Sequence, residues 1–198
     1  MRTNYVLVDY ENVQPSALAL LEVEHFKVFV FVGASQTKVG FEAAAALQRM
    51  GKQAEYVKIA GNGSNALDFH IAYFIGQLAA ADPTGYFHII SKDTGFDPLI
   101  QYLKTKKVFA GRVRDVTDIP LVKAANSKSP TEKLDVVVAN LRQRGASRPR
   151  TVKTLSSTIS SLFQKQLSSE ELDALISDLQ KKGYVTVNQT KVSYSLSS

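Results

Sequence analysis

The sequence predicts an α/β fold: a parallel sheet flanked by helices, followed by a smaller helical domain that ends in a β-hairpin. Three observations predict it. Short apolar runs alternate with helical segments over the first 122 residues. These runs are continuous rather than alternating apolar and polar, which indicates strands buried on both faces, as in parallel sheets. After residue 130 the strand runs give way to helical spacing until a hairpin pattern close to the C-terminus.

Each element has its own signal. Tyr5-Val6-Leu7-Val8 and Val28-Phe29-Val30-Phe31-Val32 are the first two strands, and Gly33 closes the second. Ala17 to Leu21 reads as a short helix opened by Pro15 and Ser16. Phe41 to Met50 is Ala-rich and helical, and Gly51 stops it. Ala54 to Ile59 is a third strand, Ala66 to Ala81 a long helix, and Phe87 to Ile90 a fourth strand. Pro98 to Lys106 is a helix and Val108 to Val113 a weaker fifth strand.

The polar stretch Lys123 to Pro130 reads as a linker between a domain over 1–122 and a domain over 131–198. In the second domain, Leu134 to Leu141 is helical. Val152, Leu155, Ile159, Leu162 and Phe163 fall at helical spacing. Leu172, Leu175, Ile176 and Leu179 mark a further helix capped by Ser168 or Ser169. Tyr184 to Val187 and Val192 to Leu196 form the hairpin. Three helices and a hairpin are the order of a winged-helix domain.

Charge separates the two parts. Residues 1–122 carry 12 Lys and Arg against 12 Asp and Glu, whereas residues 123–198 carry 12 against 6. The whole net charge of +6 therefore lies in the second part. No acid stands between Asp135 and Glu170, while Arg142, Arg144, Arg148, Arg150, Lys153 and Lys165 do. This asymmetry points to a polyanionic partner, with a solvated basic face as the plain alternative. The helix before the hairpin carries Glu170, Glu171, Asp173 and Asp178, the wrong sign for a duplex groove. Cysteine is absent, which excludes disulfides, thiolate zinc sites and cysteine nucleophiles and fits a reducing compartment. No apolar run is long enough to span a bilayer. The expectation is a soluble, cytoplasmic protein without a membrane partner.

The chemistry is carried by acids. Asp9 follows the first strand and Asp93 the fourth, so both fall at carboxyl ends of parallel strands. With strand order 3-2-1-4-5 these two ends are neighbours, and ligand crevices of open α/β sheets lie there. Asp68 stands in the first turn of a helix that is otherwise nearly all apolar. Clustered carboxylates repel, and a divalent cation offsets the repulsion. Oxygen ligands select Mg²⁺ or Mn²⁺, ions that lower the pKa of water and hold phosphate oxygens. Structural roles compete at each position. Asp97 before Pro98 reads equally as a helix cap. Asp68 could complete a capping box with Asn65, and Asp93 an Asx-turn with Gly95. Glu11 has no clear place.

Val6-Leu7-Val8-Asp9-Tyr10-Glu11-Asn12, Gly63-Ser64-Asn65-Ala66-Leu67-Asp68 and Ile90-Ser91-Lys92-Asp93-Thr94-Gly95-Phe96-Asp97-Pro98-Leu99 together resemble the three acidic motifs of NYN-type, PIN-like nucleases. The resemblance covers roughly residues 1–120. It implies Mg²⁺ or Mn²⁺ on Asp9, Asp68 and Asp93, with Asn12 and Ser91 orienting the acids. It also implies cleavage of RNA or, less often, DNA. Gly95 stands where many members carry a further acid, and Asp97 is its candidate replacement. The C-terminal pattern is similar to winged-helix modules of the LOTUS type. Gln36 and Lys38, in the polar loop after the second strand, are candidate backbone contacts. Tyr10, Tyr73 and Phe96 are either base-stacking or core residues. Two other readings stand beside the ribonuclease: a non-catalytic nucleic-acid-binding regulator with a degenerate site, and a module that docks a protein or a second copy through its C-terminal domain.

Overall fold

A computed structural model describes residues 2–127 and 129–196. It divides into two compact units, 1–119 and 120–198. The first holds a five-stranded, all-parallel sheet of β1 (Asn4–Asp9), β2 (Phe26–Val32), β3 (Ala54–Lys58), β4 (Tyr86–Ile90) and β5 (Phe109–Val113). The strand order is β3-β2-β1-β4-β5, as the sequence predicts. Its helices are α1 (Phe41–Met50), α2 (Ala66–Ala81) and α3 (Phe96–Thr105). The expected helix after Pro15 is reduced to a 3-10 turn over Leu18–Leu21.

Central β1 is buried at all six residues, which is why it reads as an unbroken apolar run. Alternate side chains serve opposite faces of the sheet. Tyr5, Leu7, Phe31, Phe87 and Ile89 form one core with Leu67, Ile71 and Ile75 of α2 and Phe96 and Leu103 of α3. Phe74 of α2 meets the Phe31 ring edge-on at 5.0 Å, and Tyr5 stacks on Phe87 at 5.1 Å. Each such apolar side chain contributes about 1.5–3 kcal/mol on burial. Asp9 continues the Tyr5-Leu7 series, so the sheet aims it at the α2 face. His88 of β4 belongs to the opposite series. Its Nε2 lies 3.0 Å from Asn4 Oδ1, and burial pushes its pKa down to about 3. The imidazole is therefore neutral at physiological pH.

The second unit contains α4 (Pro120–Asn126), α5 (Pro130–Arg144), α6 (Val152–Leu162), α7 (Ser169–Lys181) and the hairpin β6 (Val185–Asn188) and β7 (Lys191–Tyr194). Capping boxes at Ser129, Thr151 and Ser168 start α5, α6 and α7. Leu134, Val137, Leu141, Leu155, Ile159, Leu175 and Leu179 form its core with Val185 and Val192. The expected linker over 123–130 is corrected here. Lys123 to Asn126 close α4, and Ala124 is buried in this second core. Lys128, within that expected linker, lies outside the described residues, as do Met1, Ser197 and Ser198. Among the described residues no helix is long and apolar enough to cross a membrane.

Candidate active site

Asp9 ends β1, and only 4% of it is exposed. Val8 pairs with Ile90, so the residues that follow β4 begin beside Asp9. Ser91 Oγ donates to Asp9 Oδ2 at 2.7 Å, and the Asn12 backbone N–H donates to Oδ1 at 3.2 Å. The contact of Asn12 with the Asp9 carboxylate is made by its main chain. The Asp93 N–H donates to Ser91 Oγ at 3.0 Å, so one fully buried hydroxyl links the two strand ends. The expected Asx-turn is present: the Gly95 N–H donates to Asp93 Oδ1 at 2.8 Å. The expected Asn65 capping box is not. Asn65 sits at the N-cap of α2 in the left-handed region and makes no side-chain cap bond.

An open cleft of about 400 Å³ lies against Asp9, Glu11, Asn12, Asp68 and Asp93, between the carboxyl ends of the strands and the start of α2. Glu11 is the residue that sequence reasoning left unplaced. The chain turns after Asp9, with the Val13 N–H donating to the Asp9 carbonyl at 2.9 Å. This carries the Glu11 side chain over Gly33 at the end of β2, where any Cβ would collide with its carboxylate. Burial raises the Asp9 pKa, the Ser91 and Asn12 bonds oppose the rise, and the charges of Glu11 and Asp93 add to it. The Asp68 pKa is raised by burial and then by the charges of Asp9, Asp93 and Glu11. Four acids therefore share one electrostatic environment. Among the described residues, however, no three His, Cys, Asp or Glu side chains already stand as a ligand set for one ion.

Asp97 is not part of this cleft. Its carboxylate takes both arms of Arg112, with Nε at 2.8 Å and Nη2 at 3.0 Å, and the pair holds its pKa low. Nor is it a cap, because α3 starts at Phe96 with Gly95 as N-cap. Arg112 also donates through Nη1 to the Ser91 carbonyl at 3.3 Å, tying β5 to the end of β4. The Asp97 side chain is 46% exposed, so the pair contributes at most about 1 kcal/mol. Asp97→Asn should lower stability by that amount at neutral pH and leave any response to Mn²⁺ unchanged. Because the folded-state pKa is depressed, the deficit should disappear as pH falls through that value. Urea unfolding at two pH values, with and without Mn²⁺, measures both effects.

The nucleic-acid candidates are dispersed. Lys38 is exposed, and the Gln36 carbonyl accepts from Lys58 Nζ; neither Gln36 nor Lys38 lines the cleft. Arg142 and Arg144 end α5, and Arg144 Nε donates to Asn140 Oδ1 at 2.9 Å. Arg148 is committed to the fold: Nε donates to the Leu141 carbonyl at 2.8 Å, and the guanidinium lies over the Tyr194 ring. Arg150 and Lys153 are exposed at the start of α6. There the Val192 N–H donates to the Arg150 carbonyl at 3.0 Å, and Thr151 bridges Lys191. The pairing brings exposed Lys191 to the same edge, a proximity hidden by about 40 residues of chain. Tyr10 and Phe96 are core residues, whereas Tyr73 is exposed.

The PIN domain family model matches residues 3–113, the whole sheet with all three motifs. The chain belongs to the PIN domain family. PIN domains are typically metal-dependent nucleases that act on RNA, and the acid cleft lies at the carboxyl ends of the strands, where open α/β sheets bind their ligands. No curated protein and no solved structure matches the chain.

Proposed function

We propose that this PIN domain is an Mg²⁺- or Mn²⁺-dependent endoribonuclease of the NYN type, and that the C-terminal unit is a basic winged-helix module that adds affinity for RNA. The observation that carries the proposal is the convergence of Asp9, Glu11, Asp68 and Asp93 on one open cleft. Oxygen-only donors suit these hard ions. Mg²⁺ commonly binds through one or two carboxylates and completes its shell with water and substrate phosphate, so a closed set of three side chains is not required. Asp9, Asp68 and Asp93 would hold the ion, with Glu11 beside them. When bound, the ion neutralises phosphate charge and lowers the pKa of water.

The chain's own residues set the geometry. The Ser91 hydroxyl and the Asn12 N–H fix Asp9, and the same hydroxyl fixes the main chain at Asp93. Both Asp9 oxygens keep lone pairs for further ligands. Glu11 and Asp68 set the negative potential of the cleft, which repels bare phosphate and favours a cation. A wild-type chain that cleaves single-stranded RNA in Mn²⁺ and stops in excess chelator supports this reading. A chain inert under both conditions that still binds RNA supports the non-catalytic regulator, the reading favoured by Gly95.

The basic module makes a separate prediction. Each phosphate contact on single strands contributes a log–log salt slope of about −0.7. Replacing Arg142, Arg150 and Lys153 together with serine should flatten the slope of RNA affinity by about 2. An unchanged slope would move the contact surface to the PIN domain and favour a protein-docking role for the module.

A further inference from the structure

The outer face of α2 has no partner within the first unit. Phe69, Tyr73, Gly76, Gln77 and Ala80 are all exposed and fall on one stripe of the helix. Phe69 is 70% exposed and Tyr73 66%. From Phe69 to Ala81 the helix contains no Lys, Arg, Asp or Glu. A solvent-facing stripe ordinarily carries such residues.

Gly76 is a second, independent observation. It lies in the middle of α2, where glycine costs about 1 kcal/mol relative to alanine. A Cβ built there meets nothing within 4 Å, so the fold itself supplies no steric reason for the glycine. Close approach by another backbone does supply one.

We propose that this stripe is a homodimer contact, in which α2 packs across Gly76 against α2 of a second copy of the chain. Nucleic acid fits the stripe poorly, because phosphates require cations and α2 has no Lys or Arg. A second copy fits it well. An isologous contact sets a surface against its own image, and an uncharged stripe meets itself without like-charge repulsion. Phe69 and Tyr73 would each bury on the order of 150 Å², so four rings supply about 600 Å² of the roughly 1,200 Å² at which specific interfaces begin. Gly76, Gln77, Ala80 and their flanks add to this. The dimer is therefore weak and concentration-dependent. Phe69 directly follows Asp68, so the contact borders the acid cleft of each copy. None of this depends on the nuclease reading.

Sedimentation equilibrium of the full chain across the micromolar range tests the proposal. Wild type should show a monomer–dimer equilibrium. Gly76→Leu, which adds bulk where the helices meet, should raise the dimer Kd at least tenfold without lowering the melting temperature. Phe69→Lys combined with Tyr73→Lys should leave monomer only, and Gln101→Lys on α3 should change nothing. A wild type that stays monomeric overturns the proposal, as does a dimer indifferent to these α2 substitutions. A monomer whose RNA affinity falls in the double aromatic variant also overturns it and assigns the stripe to base stacking.

Discussion

In the metal-free protein, Asp68→Asn should raise the melting temperature. Asp68 is half-buried beside three other acids, and burial together with their charges raises its pKa. The amide keeps the shape and removes the repulsion. Solvent screening reduces the gain to about 1 kcal/mol, or roughly 3–5 °C. The sign with pH follows. A carboxyl whose folded pKa is raised destabilises the native state above that pKa, and the penalty is relieved as pH falls toward the unfolded value of about 3.9. The advantage of the variant should therefore shrink on acidification. Mn²⁺ should stabilise wild type by mass action and the variant much less. If Asp68 merely started its helix, the variant would be less stable at neutral pH and would keep its Mn²⁺ response. Melting curves at two pH values, with and without Mn²⁺, separate these cases.

Ser91→Ala should have the largest effect on stability. The hydroxyl is fully buried, donates to Asp9 and accepts from the Asp93 N–H. Its loss leaves two polar groups short of a partner, at about 1–3 kcal/mol. It also removes the bond that opposes the rise in the Asp9 pKa. The part of the deficit that comes from Asp9 should therefore be largest at neutral pH and should shrink on acidification, while the part that comes from the Asp93 N–H stays constant. Mn²⁺ affinity should fall about 10–100-fold, as when partners that orient ligating residues are removed. Urea unfolding at neutral and mildly acid pH reads the first effect. Equal deficits at both pH values would show that the hydroxyl does not govern the ionisation of Asp9.

The strand order was legible because buried parallel strands leave unbroken apolar runs, and Val28 to Val32 could hardly be anything else. The placement of Asp9, Asp68 and Asp93 beside one cleft was legible because strand ends and a helix start lie in predictable places. What failed depends on contacts between residues far apart in sequence. Asp97 before Pro98 looked like a local cap, but its partner Arg112 lies on β5. Glu11 enters the cleft because a turn after Asp9 swings it over Gly33. An acid two residues beyond Asp9 and a glycine closing the neighbouring strand were the available signal. Helix α4 was hidden because Lys123 to Ser127 is polar and small, and only Val122 and Ala124 record its burial. The basic edge of the second unit needed the pairing of Thr151 with Lys191, which composition does not encode.

The most direct test of the central claim compares wild type with Asp93→Asn on end-labelled single-stranded RNA in Mn²⁺. The account predicts cleavage by wild type, its loss in chelator, and a fall of more than about a hundredfold in the variant, with RNA affinity retained. Equal cleavage by both proteins would contradict it and place the chemistry outside the acid cleft.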